Sequence, residues 1–329
     1  MKHRRILLIG GTGFIGRSVA AALAGRGAFI TVPTRRLRRG RDLLPLPTVR
    51  LVEADVNDHA TLAGLMVGHD AVINLVGILH SKRGEPYGPD FAHAHVDLPR
   101  AIASAMKAES ARAGRPLRLL HMSALGADSQ GPSMYLRSKG DGEAVLRGEA
   151  GGSALEVTIF RPSVVFGPDD DFLNLFAKLA ALVPLLAMGG ADARFQPVCV
   201  EDVAHAFANA LDNPDTHGRT YELCGPRVMT LREIVAFAAR AAGHPRKVIG
   251  LPGAIARLQA FAFEFAPGGP LMSRDNLDSM KVDNVAPPGW TPAPELKLGL
   301  LTPIEDAGRY LAGLGGKAYL EVFRQVAGR

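Results

Sequence analysis

Tyr135 and Lys139 lie four residues apart in a stretch that reads as a helix, so they share one face. An ammonium beside a phenol lowers the phenol pKa, which lets it exchange a proton near neutral pH. Ser123 ends a strand-like run twelve residues upstream of that tyrosine. A hydroxyl there could polarise a carbonyl. The same Tyr-xxx-Lys spacing also describes an ordinary exposed helix pair, and spacing alone does not separate the two.

A second cluster concerns phosphate. Gly10-Gly11-Thr12-Gly13-Phe14-Ile15-Gly16 follows the apolar run Ile6–Ile9 and precedes the Ala-rich run Ile15–Ala24. Glycines at 10, 13 and 16 let the chain turn tightly and approach a pyrophosphate resting on a helix N-terminus. A lone glycine pattern is weak, but between a strand and a helix it points to a dinucleotide. An acidic residue about twenty positions on would bind the ribose 2′-hydroxyl of NAD. That region instead reads Thr31-Val32-Pro33-Thr34-Arg35-Arg36. Arg35 and Arg36 suit a 2′-phosphate, which favours NADP(H) over NAD(H); a solvated basic loop is the alternative. Asp55, after the third strand, could meet the adenine amino group or simply cap the next helix.

These groups need a scaffold. Apolar runs at 6–9, 29–33, 49–53, 71–76, 117–122 and 157–161 alternate with helix-like stretches. That pattern predicts an α/β fold, a doubly wound parallel sheet of the Rossmann kind. The expected division is a dinucleotide-binding domain of residues 1–166 plus about 192–229. A smaller, mostly C-terminal substrate lobe would take about 167–191 plus 230–329. Within the lobe, Thr230 with Glu233 reads as a capping box, and Thr302-Pro303-Ile304-Glu305 repeats the signature. Pro252 to Pro294 reads as an irregular segment enclosing a ligand site. It overlaps the nearly all-apolar Leu251–Phe265, expected in the core, or else lining a channel for a quinone or isoprenoid or facing a membrane.

The chain has 329 residues, 47% hydrophobic and 21% charged, which excludes a disordered chain. Two cysteines exclude a disulfide framework and a structural zinc cluster. His93 and His95 point different ways at helical spacing, so no metal site is expected. The net charge is +6, with 29 Arg against 9 Lys. Five arginines (35, 36, 38, 39 and 41) sit in one loop, and removing them from +6 leaves +1. The surplus is therefore local, and no second basic stripe speaks for nucleic acid. The leading apolar run is too short for a signal peptide, and no unbroken apolar stretch of about 20 residues predicts a spanning helix. A cytoplasmic location follows, with peripheral contact at the inner face of the membrane open.

Several segments carry a family resemblance. Gly-Gly-Thr-Gly-Phe-Ile-Gly, Asp55-Val56, Tyr135-xxx-Lys139 and Arg161-Pro162 before Phe166-Gly167-Pro168 resemble an extended or atypical short-chain dehydrogenase/reductase. Val72-Ile73-Asn74-Leu75-Val76-Gly77-Ile78-Leu79, His121-Met122-Ser123-Ala124-Leu125-Gly126-Ala127 and Arg194-Phe195-Gln196-Pro197-Val198 resemble one branch of it. That branch contains the NADPH-binding accessory subunit of respiratory complex I and its bacterial relatives. The resemblance implies that Ser123, Tyr135 and Lys139 act together, with Lys139 also holding the nicotinamide ribose. It implies cofactor contacts from Gly10, Thr12, Gly13, Phe14, Ile15, Gly16, Arg35, Arg36, Asp55, Val56, Leu75, Val76, Gly77, Tyr135, Lys139 and Pro162. His95 stands where many members carry a relay asparagine, and Arg194 matches an arginine that grips a substrate phosphate in nucleotide-sugar enzymes. An ion pair of Arg194 with Asp192 or Glu201 is the alternative. Asp169-Asp170-Asp171 near a pocket would repel a substrate pyrophosphate; a place on the surface is the alternative.

The leading expectation is an NADP(H)-binding oxidoreductase for an apolar carbonyl or quinone-type compound. One alternative is a non-catalytic, cofactor-stabilised assembly protein of a respiratory or quinone-metabolism complex. The other is a nucleotide-sugar epimerase or dehydratase. The partners expected are a dinucleotide, a small apolar substrate, and a membrane or respiratory complex.

Overall fold

The computed structural model describes residues 2–150, 154–266, 271–314 and 324. Its strands are β1 (Arg5–Ile9), β2 (Phe29–Thr34), β3 (Val49–Glu53), β4 (Ala71–Asn74), β5 (Leu117–Met122) and β6 (Leu155–Pro162). Shorter strands follow: β7 (Val165–Phe166), β8 (Leu185–Met188), β9 (Arg194–Phe195), β10 (Val198–Cys199), β11 (Thr220–Leu223), β12 (Met229–Thr230) and β13 (Lys247–Gly250). The helices are α1 (Phe14–Ala24), α2 (His59–Met66), α3 (Pro89–Ala92), α4 (Leu98–Ala113) and α5 (Met134–Glu149). They continue with α6 (Leu173–Leu182), α7 (Val200–Ala210), α8 (Leu231–Ala241), α9 (Gly253–Phe263) and α10 (Arg274–Ser279).

Seven strands form one parallel sheet in the order β11-β6-β5-β4-β1-β2-β3. The predicted doubly wound sheet is present. Its strands are apolar on both faces because helices cover both. In β1, Ile6 and Leu8 pack towards α1 and α7, while Leu7 and Ile9 pack towards α2 and α4. The order reverses between β1 and β4, and at such a switch point the strand ends leave a crevice. Gly10, Leu75, Ser123 and Arg35 all leave the sheet at this carboxyl edge.

The second half forms small two-stranded sheets, β10 with β7, β12 with β9, and β13 with β8. Thr230 forms the expected capping box with Glu233 at the start of α8. The signature at Thr302 does not cap a helix. Its backbone N–H and hydroxyl reach Asp202 instead, and a short 3-10 turn, Ile304–Ala307, follows. The stretch after Pro252 is more regular than expected, carrying both α9 and α10. Among the described residues, no helix is long and apolar enough to cross a membrane.

Candidate functional site

The glycine turn divides its labour. Gly10 sits at φ +83°, and a Cβ there would lie 3.0 Å from the Leu75 carbonyl carbon. A Cβ on Gly16 would fall 2.4 Å from the Gly10 oxygen, so Gly16 lets α1 begin against the turn. Gly13 is exposed, and a Cβ on it would meet nothing nearer than the Gly10 oxygen at 3.3 Å. Gly13 is also the N-cap of α1, with no side-chain cap, which leaves the first N–H groups of the helix for an anion. Thr12 and Ile15 are half-buried in this turn, and the Phe14 ring packs beside Gly167. Leu75 joins β1 through its N–H to the Ile9 carbonyl, and Val76 donates to the Asn74 side chain. These backbone positions fit a dinucleotide pyrophosphate crossing the switch point.

Arg35 and Arg36 follow β2 directly and are exposed. Arg36, Arg38, Arg39 and Arg41 line a recess of about 270 Å³. Among the described residues, no carboxylate pairs with any of these arginines or with Arg35. Asp55 does not cap α2, because Asp58 does so through the Thr61 N–H at 2.7 Å. Asp55 instead holds Asn57 through one oxygen at 2.8 Å, and Val56 lies half-buried beside it.

The Tyr135–Lys139 pair sits in the first turns of α5, whose start is held from two sides. Ser133 caps the Leu136 N–H at 3.1 Å. Asp275, from α10, accepts the N–H groups of Met134 and Tyr135 at 2.7 and 3.1 Å. Lys139 is buried, donates to the Met122 carbonyl at 3.3 Å, and stands 3.2 Å from where a Gly77 side chain would begin. Its Nζ lies 6.0 Å from the centre of the Tyr135 ring. Burial lowers Lys139 to about 8, with Glu143 pulling the other way. Burial raises the Tyr135 phenol to about 12. The shift is opposite to the lowering expected from Lys139, and its cause is desolvation of the phenol.

Ser123 also departs from expectation. Its hydroxyl donates to Glu143 Oε1 at 2.5 Å, and both residues are buried. Glu143 further accepts from Arg161 at 2.8 and 2.7 Å and from Arg147 at 2.6 Å. The Ser123 donor is thus engaged within the protein, by a buried carboxylate. The backbone fixes it there: Ser123 N–H meets the Phe160 carbonyl, and Leu125 N–H meets that of Pro162.

His95 is no free relay. Its Nε2 accepts the Ile78 N–H at 3.1 Å. Nδ1 therefore carries the hydrogen and donates to Ser138 Oγ at 2.8 Å, and Ser138 donates on to the Tyr135 carbonyl. Burial, with the Lys139 and His121 charges near, lowers His95 to about 2. The imidazole is a neutral strut between the Gly77–Ile78 turn and α5, stacked on Phe91 and edge-on to Tyr135. It lies in a π-helical turn, His93–Asp97, between α3 and α4.

The substrate-lobe assignments shift too. Arg194 pairs with Asp283, at 3.0 and 2.6 Å, and not with Asp192 or Glu201. Asp192 pairs with Arg232, and Glu201 accepts from the Cys199 thiol. The three acids do not act as a repulsive cluster: Asp169 pairs with Arg17, and Asp170 is buried, capping α6 and accepting from Tyr310. Glu143 and Asp275 escaped the sequence reading. Glu143 follows Lys139 by four residues, and that helical spacing is a usable signal. Asp275 is 140 residues from Tyr135, and no local pattern announces it.

Comparison with known proteins agrees with this architecture. Residues 6–224 match the NAD dependent epimerase/dehydratase family. The mouse (Mus musculus) mitochondrial NADH dehydrogenase (ubiquinone) 1 alpha subcomplex subunit 9 is 31% identical over 286 residues, 85% of this chain and 72% of the relative. The ceramide reductase of Caulobacter vibrioides is 32% identical over 253 residues, covering 75% and 73% of the two chains. The fold also matches the UDP-glucuronic acid 4-epimerase of Bacillus cereus, solved with UDP-glucuronic acid and NAD. That match has a TM-score of 0.69 at 16% identity, over 96% of this chain and 100% of that one. With a Rossmann sheet, its glycine turn and this family match over most of its length, the chain belongs to the NAD-dependent epimerase/dehydratase family and is related to complex I subunit 9.

Proposed function

We propose that this chain binds NADP(H) and reduces an apolar carbonyl or quinone-type compound. The observation that carries the reading is a half-buried Tyr135 with a buried Lys139 one helical turn on, at the switch-point edge of the sheet and beside an open glycine turn. Bound NADPH would supply a hydride to the substrate carbon. Tyr135 would deliver a proton to the carbonyl oxygen. A phenol held near 12 is fully protonated at neutral pH, yet more acidic than the alcohol it would generate by protonating the alkoxide. Lys139 would hold the nicotinamide ribose and electrostatically ease the loss of the Tyr135 proton. Arg35 and Arg36, without carboxylate partners at the end of β2, support a 2′-phosphate over a bare ribose. The ceramide reductase relative supports a lipophilic substrate. Peripheral contact at the inner face of the membrane is part of the same reading.

The Ser123 hydroxyl, engaged by Glu143, favours a second reading, a non-catalytic, cofactor-stabilised subunit of a respiratory assembly. The Arg194–Asp283 pair weighs against a nucleotide-sugar enzyme, since a phosphate would have to displace a carboxylate.

The deciding experiment measures NADPH and NADH affinity, then NADPH oxidation with a panel of long-chain ketones and quinones. Tight NADPH binding, weakened about tenfold or more by Arg35→Ala with Arg36→Ala, is expected for loss of two phosphate contacts. Turnover should fall at least a hundredfold in Tyr135→Phe. Equal affinity for NADH and NADPH defeats the cofactor choice. NADPH binding without oxidation by any acceptor leaves the assembly reading.

A further inference from the structure

We propose that the outer face of α9, with the β8–β13 ribbon beside it, is a docking surface for an anionic lipid bilayer. The proposal rests on the peripheral-contact part of the reading above, and it deepens that part by naming the element and the lipid chemistry. It depends on neither the cofactor nor the turnover.

The stretch Leu251–Phe265 is not core. Ile255, Leu258, Phe261 and Phe265 recur every three to four residues on one face of α9 and just past it, and are 53, 68, 43 and 72% exposed. The opposite face is made small so that it can pack: Ala256 and Ala260 are buried, Ala256 lying against Gly189. Ordinary surface helices turn their polar face outward, and this one turns its apolar face to water. Phe261 and Phe265 pack edge to face at 5.3 Å.

The apolar area continues beyond the helix. Gln259 ties α9 to the β8 edge through the Ala187 carbonyl at 2.8 Å. Along the ribbon, Leu186 and Val248 face inward while Leu185 and Ile249 face outward and are exposed. Leu182, at the end of α6, is 79% exposed.

The charges around this face decide what it meets. The acids near it are already used: Glu264 pairs with Arg274, Asp278 with Arg257 and Lys281, and Asp192 with Arg232, which also donates to the Val248 carbonyl of the ribbon. Arg274 also lies over the Phe261 ring, 4.7 Å from its centre. Among the described residues, Lys178 and Lys247 make no ion pair, and Arg246 bonds only to the Ala180 carbonyl. What remains unpaired at the rim is thus cationic. A second copy seated face to face would bring these like charges together, because a two-fold contact sets the same patch against itself. A bilayer with anionic headgroups satisfies both features. The apolar stripe enters the headgroup–acyl boundary while the cations meet phosphates.

The test is co-sedimentation of the full chain with vesicles rich in phosphatidylglycerol and with pure phosphatidylcholine vesicles. The expected result is binding to the anionic vesicles, at least about tenfold tighter than to the neutral ones, and weakened by added salt. Leu258→Glu with Phe265→Glu should abolish it, while the melting temperature and NADPH affinity stay unchanged, because both sites are exposed. Lys247→Glu with Lys178→Glu should remove the preference for anionic vesicles. Absence of wild-type binding to either vesicle overturns the proposal. So does a mass measurement showing that Leu258→Glu converts a dimer to a monomer. If the α9 variant still sediments with native membranes although the chain never binds vesicles, the peripheral reading survives and the lipid proposal fails.

Discussion

The Ser123 hydroxyl donates to the Glu143 carboxylate at 2.5 Å, deep beneath the edge of the sheet where the proposed chemistry sits. Glu143 is fully buried and faces two guanidiniums, Arg161 and Arg147. The serine completes the shell of a buried carboxylate. Ser123→Ala should therefore lower stability by about 1–2 kcal/mol, the cost of leaving a buried acceptor short of one bond. Turnover should fall far less than in Tyr135→Phe. Glu143→Gln should cost about 3 kcal/mol or more, because Arg161 then lacks its counter-charge. Urea denaturation with steady-state rates of the same variants checks both. A Ser123→Ala loss as large as that of Tyr135→Phe would restore the serine to the reaction.

The glycine turn predicts two opposite phenotypes. Gly16→Ala puts a Cβ on a backbone oxygen, which neither partner can avoid. It should destabilise the fold by about 2 kcal/mol or more, as overpacking does. Gly13→Ala brings its Cβ to 3.3 Å from the Gly10 oxygen, a tight contact but far looser than that at Gly16, so its melting temperature should fall much less than that of Gly16→Ala. Its NADPH affinity should drop about tenfold or more, because the methyl occupies the pyrophosphate approach. Thermal melts and cofactor titration separate the two effects.

His95 makes stability acid-sensitive. Its folded pKa of about 2 lies far below that of an unfolded histidine. Over the interval between those two values the unfolded chain binds the extra proton. Stability contributed by the neutral imidazole is complete above about pH 6.5 and declines as pH falls towards the folded value. His121, held near 3 by burial and by Lys139, adds in the same direction. Denaturation midpoints measured between neutral pH and pH 4 should fall more steeply in the wild type than in His95→Gln. Parallel slopes would remove His95 as a contributor.

Asp275 joins α10 to the helix that carries Tyr135, through two backbone N–H groups at the start of α5. Asp275→Ala should cost about 1–2 kcal/mol, as loss of a helix cap does. Under the proposed chemistry it should also lower kcat more than it raises KM, since the phenol moves relative to the substrate. Denaturant melts and the kcat-against-KM split report the two effects separately.

Some of this protein was fixed by the sequence acting locally. Alternating apolar runs and helical stretches set the parallel sheet, because strand faces and helix stripes follow from spacing of two and about 3.6 residues. The glycines at 10, 13 and 16 set the turn, and the capping box at Thr230 set the start of α8, since both act within a few residues. Only the tertiary structure decided where side chains from distant segments meet. Asp283 claimed Arg194, Asp275 claimed the α5 N-terminus, and Asp202 claimed Thr302, each across roughly 90 to 140 residues of chain. Burial, which no local pattern states, moved the Tyr135 phenol up, and a buried Glu143 engaged the Ser123 donor. Burial also decided α9: its composition reads as core, but the rest of the chain covers only its alanine face. Composition measures how apolar a segment is, whereas exposure depends on what the rest of the chain leaves uncovered.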